Sequence, residues 1–382
     1  MLQRKLLEGN AKLGYDERHG YLPAILKALD LPVASQVLVF SKTSFQAPRI
    51  SPRMARAIYF NDDVYVGWVP GGDVVEIAAV DPALGIIFYT LGQDRVERPK
   101  IVRRDDCLQC HASGGTLGVP GLVVRSVYVE RTGMPFFNAG GFVTDHRSPI
   151  SERWGGWYVT GTHGAQRHMG NVFAENREHP EEIDRESGAN VIDLKGRIDT
   201  GMYLAPGSDL VALMVLEHQT RMTNLITRVG WEARLAMSDQ VAINRALGEP
   251  DEKVLESSRR RIDNAVEELV KYLLFADEAL LKEPVRGGEA FARAYSNGRP
   301  FREFDMQTRM FRNRCSPLIL SAAFDGLPDP ARLQVYRRLW EVLTGADTTG
   351  LGKRLSEAER KAIIAVLLAN KLNLPAYWRA GK

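Results

Sequence analysis

Two cysteines and a histidine stand together at one place in the chain, as Cys107-Leu108-Gln109-Cys110-His111. Two thiols at this spacing can add across the two vinyl groups of one haem, and a histidine directly after the second thiol can supply an axial nitrogen to the iron. A pair of thioether bonds would attach the group permanently. The pattern therefore predicts one covalent haem, held by Cys107 and Cys110 and ligated by His111.

Zinc binding and dithiol redox chemistry are the alternative interpretations of this pattern. A structural zinc site needs four ligands, usually with a second Cys/His pair, and the chain has three cysteines and no second CxxC. His163 and His168 could complete such a site, but it would not need a histidine directly after Cys110. A redox CxxC usually opens a helix in a strand–helix–strand context, which the flanking sequence does not indicate. The leftover Cys315 precedes Ser-Pro and an apolar run, so we expect a buried, inert thiol.

The five-residue motif resembles the haem-attachment site of c-type cytochromes. The chain as a whole does not resemble the small class I cytochromes c, which are far shorter and almost entirely helical. Residues 153–161, Arg-Trp-Gly-Gly-Trp-Tyr-Val-Thr-Gly, look like a segment of large, uncharacterised bacterial exported proteins that carry a single such haem. The resemblance implies one haem c and an exported protein, and it implies no particular activity.

A haem iron has a second axial position, for which His218 is our prediction. Residues 209–229 repeat apolar side chains at helical spacing, and His218 falls on that apolar face, four residues from both Met214 and Met222. A histidine there needs a partner, because it is not easily solvated. The alternative is a core histidine bonded to a carbonyl or a carboxylate. Met222, His163 and His168 are the main alternatives for the sixth ligand. The chain also offers His19, His146, His179, Met169 and Met214, and for the three histidines in this second set a surface or loop position is the alternative.

Arginines near these segments are candidates to pair with haem propionates, because a guanidinium group matches the geometry of a carboxylate. The candidates are Arg125, Arg147, Arg153 and Arg167. For each of them a solvated surface position is the alternative. Trp154, Trp157 and Tyr158 add flat apolar surface, which predicts either core packing or a wall of the haem pocket.

The fold class that these patterns predict is α+β. Short β-rich segments fill the first half, with hairpins over 57–69 and 74–91, and the period changes to helical spacing over 209–247 and 251–281. A helix follows from Asp329, and Ser356 to Glu359 form a capping box for another. We predict a β-rich haem domain over residues 1–204 and a helical region packed on it over residues 205–382.

The composition of the chain argues against some classes of function. Residues are 45% hydrophobic and 25% charged, with a net charge of +3, and basic and acidic residues are mixed along the chain, which does not favour a nucleic-acid partner. No apolar run approaches the roughly 20 residues that span a bilayer. The start of the chain lacks an apolar signal segment, so we expect a processed form of a periplasmic or extracellular protein.

Redox chemistry at a single haem c is the function that follows from these expectations. One interpretation is electron transfer to a redox partner protein, with both axial positions filled. The other is a haem enzyme that acts on a small molecule such as peroxide, a nitrogen oxide or oxygen, with an open iron position. A haem-based sensor is a third possibility. The length of 382 residues is generous for a carrier, which leaves the enzyme question open.

Overall fold

A computed structural model describes residues 2–8 and 12–379 of the protein. The fold is α+β, with an antiparallel sheet in the N-terminal part and helices in the C-terminal part. The strands are β1 (Val37–Val39), β2 (Arg56–Phe60), β3 (Val64–Trp68), β4 (Val74–Asp81), β5 (Gly85–Gly92), β6 (Ile101–Arg103), β7 (Arg125–Val127), β8 (Gly141–Val143) and β9 (Trp157–Tyr158). The helices are α1 (Leu2–Leu7), α2 (Leu22–Ala28), α3 (Leu108–His111), α4 (Leu210–Ala246), α5 (Glu256–Leu273), α6 (Glu289–Ser296), α7 (Ala322–Asp325), α8 (Asp329–Thr344) and α9 (Glu357–Asn370).

The main sheet joins seven strands in the order β6-β5-β4-β3-β2-β1-β9, all antiparallel, while β7 and β8 pair separately. Both predicted hairpins are confirmed, with β2 paired to β3 and β4 paired to β5. Asn61 closes the first turn because its side-chain oxygen accepts hydrogen bonds from the backbone N–H groups of Asp63 and Val64.

The two faces of the sheet are buried against different parts of the chain. Side chains alternate along each strand, so that Phe60 and Phe88 face the first turns of α4 and pack in one core with Leu213. Tyr59 on the other face packs with Leu22 of α2. The core that contains Leu213 is formed by residues from before and after the predicted boundary between residues 204 and 205. The β-rich region and the helical region therefore pack against each other.

Helix α4 is the longest element and connects the sheet to the helical region. It spans 37 residues, about 55 Å at the rise of an α-helix. Asp209 caps its start by accepting a hydrogen bond from the Ala212 N–H at 2.8 Å. Its second half packs with α5, α8 and α9 in a separate apolar core. No helix among residues 2–8 and 12–379 is long and apolar enough to cross a membrane.

Several finer sequence predictions are confirmed and others need correction. Ser356 and Glu359 form the predicted capping box of α9, and Cys315 is fully buried. The strand β7 is only three residues long, and the backbone of Leu122 before it bonds to the side chain of Asn224 instead of to a neighbouring strand. The helix predicted over 251–281 begins at Glu256 and ends at Leu273.

Candidate cofactor site

The motif lies on one short helical turn at the edge of the main sheet. Strand β6 ends at Arg103, and the next backbone N–H, that of Arg104, donates to the carbonyl of Phe88 at 2.8 Å. A 3₁₀ turn over Asp105–Cys107 then leads directly into α3. Since residues three apart on a helical turn share a face, the Cys107 and Cys110 side chains project to one side. Both thiols are free.

His111 is held by a reciprocal pair of contacts with Gly121. The N–H of Gly121 donates to the carbonyl of His111 at 2.8 Å, and Nδ1 of His111 lies 2.9 Å from the carbonyl oxygen of Gly121. A carbonyl only accepts hydrogen bonds, so Nδ1 must carry the proton. Nε2 of the neutral ring therefore keeps its lone pair, which is the arrangement that protein metal ligands use.

The surroundings of His111 keep the ring neutral. Burial lowers the pKa of His111 below its ordinary value, an effect that the Gly121 carbonyl partly opposes and that Arg56 and Arg125 reinforce. The ring of Phe88 lies 4.7 Å from the imidazole, measured between centroids. A neutral imidazole is the form that can donate an electron pair to a metal.

Asn224 of α4 fixes the backbone next to Gly121, the residue whose carbonyl accepts the hydrogen bond from His111. Its side-chain oxygen accepts from the Leu122 N–H at 3.1 Å, and its amide donates to the Leu122 carbonyl at 2.7 Å. Gly121 has no room for a side chain, because a Cβ there would lie 2.2 Å from Oδ1 of Asn224. The sequence analysis missed both residues. Asn224 gave no distinct signal in the sequence, because the residues three and four positions away on the same helix face are polar as well.

Exposed apolar side chains flank the motif. Val102 on β6 is 53% exposed, Val143 on β8 is 45% exposed and Phe45 is 55% exposed. Phe45 lies under the guanidinium of Arg104, which is 4.8 Å from its ring centroid, and a Cβ at Gly115, four residues after His111, would lie 3.9 Å from Val143. Apolar surface beside two free thiols fits a flat apolar group such as a porphyrin.

The two thiols differ in their surroundings. Cys110 is exposed and Cys107 is half-buried. Burial is the largest cause that raises the pKa of Cys107, and the nearby carboxylate of Asp106 adds to it. One thiol thus packs against the protein while the other faces solvent, which leaves one edge of the site accessible.

Among the four arginines that the sequence proposed for propionates, Arg125 is the one near the motif. It is exposed and close enough to lower the pKa of His111. The other three have carboxylate partners of their own: Arg147 with Asp145 at 2.6 Å, Arg153 with the buried Glu217 at 3.2 Å, and Arg167 with Glu186 at 2.7 Å. Arg56, which the sequence analysis did not single out, also lies near His111.

His218, the predicted sixth ligand, has other partners for both ring nitrogens. Its Nδ1 lies 2.7 Å from Nδ1 of His146, and its Nε2 lies 2.8 Å from Oγ of Ser316. It is fully buried, and its ring stacks on Phe275 with the centroids 4.5 Å apart. Asn224, which faces the motif, is six residues further along α4, so it points about 120° away from His218. The geometry corresponds to a core histidine bonded to neighbouring side chains, and it does not support ligation by His218.

The other candidate ligands lie in separate surroundings. Met222 is fully buried in the core of the helical region. His163 and His168 lie beside each other with ring centroids 4.7 Å apart, next to Trp154. No group of three or more His, Cys, Asp or Glu side chains within residues 2–8 and 12–379 is arranged to hold a metal ion.

Comparisons with protein-family models, with curated proteins and with solved structures gave no match to this chain.

Proposed function

We propose that the protein carries one haem c, attached through Cys107 and Cys110 and ligated by Nε2 of His111, and that it transfers electrons in the periplasm or outside the cell. The observation that carries the proposal is the hydrogen bond from Nδ1 of His111 to the carbonyl of Gly121, at 2.9 Å. This bond orients the ring and leaves Nε2 as the donor nitrogen, in the residue that directly follows the second of two free thiols.

The chemistry of attachment needs no oxidant. Each thiol adds across one vinyl group, so that the sulfur bonds to one carbon and the hydrogen goes to the other. Bound haem would supply a one-electron couple between ferrous and ferric iron. The protein would supply the axial nitrogen of His111, apolar contacts from Val102, Val143 and Phe45, and a positive charge from Arg125 for a propionate.

Exposure of the motif supports electron transfer over catalysis by a haem in an enclosed pocket. Cys110 and Gln109 are exposed, so a haem bonded to Cys110 would have an edge at the surface. A redox partner protein that docks on this edge could exchange electrons over a short distance. Arg104 and Asp106 form a surface ion pair beside the motif, at 2.7 Å, and would offer polar contacts at the rim of such an interface.

Covalent attachment is tested by producing the full chain, exported, in a host with c-type maturation machinery. We expect an intact mass that exceeds the chain by one haem, a Soret band, and haem that stays with the polypeptide in acid–acetone. Cys107→Ala and Cys110→Ala should each remove one thioether bond and weaken retention. Cys315→Ala is the matched control, because that thiol is fully buried away from the motif, and it should retain haem. A zinc-loaded, colourless protein from this host would refute the proposal.

A further inference from the structure

The outer face of α9 is apolar and exposed. Residues 362–369 run without a polar side chain, as Ala-Ile-Ile-Ala-Val-Leu-Leu-Ala. Ile363 and Leu367 are fully buried in the core of the helical region. Ala365 and Ala369 each follow one of them by two residues, which places them on the opposite side of the helix, and both are exposed.

This apolar face continues past the end of α9. Residues three and four apart on a helix form one stripe. The stripe borders an open depression of about 400 Å³, which is lined by Lys361, Ile364, Ala365, Leu368 and Ala369. Leu372, two residues after α9, is 87% exposed. A contiguous apolar surface of this kind usually marks an interaction site.

The charge of the surrounding segment indicates what this face binds. Residues 353–382 contain seven lysines and arginines and two glutamates, a net charge of +5, whereas the whole chain carries +3. The rest of the chain therefore carries a net charge of −2. The positive charge of this protein is concentrated in the segment that contains the exposed apolar face.

Ion pairs with other parts of the chain offset only part of this charge. Arg354 pairs with Asp277, and the buried Lys371 pairs with an aspartate that precedes α8. In the opposite direction, Glu359 is neutralised by Arg309 from outside the segment, at 2.5 Å. The surroundings of α9 therefore remain cationic.

Cations stand at both ends of the apolar face. Lys361 has a side chain that is 74% exposed, and its partner is Glu357 one turn earlier, at 2.5 Å. At the other end the exposed Arg379 donates to the carbonyl of Leu372 at 3.3 Å. Tyr377 nearby in the chain is 39% exposed, and tyrosine side chains favour the boundary between lipid and water.

We propose that this face of α9 binds an anionic lipid surface, with the helix lying in the plane of the interface. Peripheral helices bind membranes through an exposed apolar stripe bordered by cations, and each cation near an anionic bilayer favours binding. A second copy of the chain fits this face less well, because two cationic segments repel each other. Binding through α9 is independent of the CxxCH motif and does not rest on the proposed haem.

Binding is measured by flotation of the full chain with two kinds of vesicle, one of phosphatidylglycerol mixed with phosphatidylcholine and one of phosphatidylcholine alone. We expect the protein to float with the anionic vesicles and to stay in the soluble fraction with the neutral ones. Equal flotation with both kinds of vesicle would overturn the proposal. Absence of flotation with either would overturn it too, and would favour an acidic protein as the partner.

A double variant tests whether α9 is the surface that binds. Ala365→Glu with Leu372→Glu places two negative charges on the apolar face, so it should weaken binding to the anionic vesicles at least about tenfold. Ile192→Glu with Val254→Glu is the matched control, because these side chains are 77% and 68% exposed on other segments, and it should bind as the parent does.

Urea unfolding of both double variants checks that they are folded, which the exposure of all four positions leads us to expect. Flotation of the α9 variant equal to that of the parent would contradict the assignment to this face. Light scattering supplies the last test. A dimer of the parent that the α9 variant loses would show that a second copy covers the face, and would overturn the proposal.

Discussion

The close contact between Gly121 and Asn224 predicts the effect of adding one methyl group. In Gly121→Ala the new Cβ would lie 2.2 Å from Oδ1 and 2.7 Å from Cγ of Asn224. Asn224 is 1% exposed and is held by two hydrogen bonds to Leu122, so its amide has no free space to swing into. The substitution must therefore break both hydrogen bonds or displace the segment that holds His111.

The magnitude follows from those two hydrogen bonds. Each contributes about 1–1.5 kcal/mol net, and their loss leaves Leu122 backbone groups without partners, so we expect Gly121→Ala to lower the free energy of unfolding by about 2–3 kcal/mol. Asn224→Ala removes the same two bonds and should cost a similar amount. In the double variant the clash is gone, so the cost should equal that of one single variant instead of the sum.

Equilibrium urea unfolding, followed by tryptophan fluorescence and by circular dichroism, measures these differences. Gly114→Ala in the same loop is the control, because a Cβ there meets nothing within 4 Å, and it should change stability by less than about 0.5 kcal/mol. Additive costs for Gly121→Ala and Asn224→Ala would show that the two residues do not share the contact, and would refute this account of the site.

Two further predictions concern the helical region. Ser356→Ala removes the hydroxyl that accepts the Glu359 N–H at 3.2 Å, so the loss of this helix cap should lower stability by about 1 kcal/mol in urea unfolding; an unchanged midpoint would contradict it. Asp347 has a pKa held well below its ordinary 3.8, because it accepts hydrogen bonds from Gly352, Thr349 and Arg338 in spite of burial. Its stabilisation is present above pH 3.8 and is lost as the pH falls through the lower folded-state pKa. Asp347→Asn should therefore cost about 1–2 kcal/mol at pH 7 and progressively less below pH 3.8, and a difference that does not vary with pH would argue against the ionised carboxylate.

The local elements of this fold follow closely from the sequence. Alternating apolar residues and the Asn61 turn predict the β2–β3 hairpin, and the apolar period predicts α4 almost to its ends, because these patterns depend on contacts between near neighbours in the chain. The CxxCH spacing likewise predicts the chemistry that we propose for the site, since the two thiols and the imidazole lie within five residues. What the motif predicts about haem needs no knowledge of the fold.

The surroundings of the site were not predictable, because they join residues far apart in the chain. His111 depends on Gly121, and Gly121 on Asn224 of α4, about a hundred positions later, and no local pattern encodes that contact. For His218, too, the sequence did not predict the contacts that join distant segments. Its helical face was predicted correctly, but its partners, His146 and Ser316, come from distant segments. Only the packing of α4 between the sheet and α5 decided that this histidine bonds to its neighbours in the core.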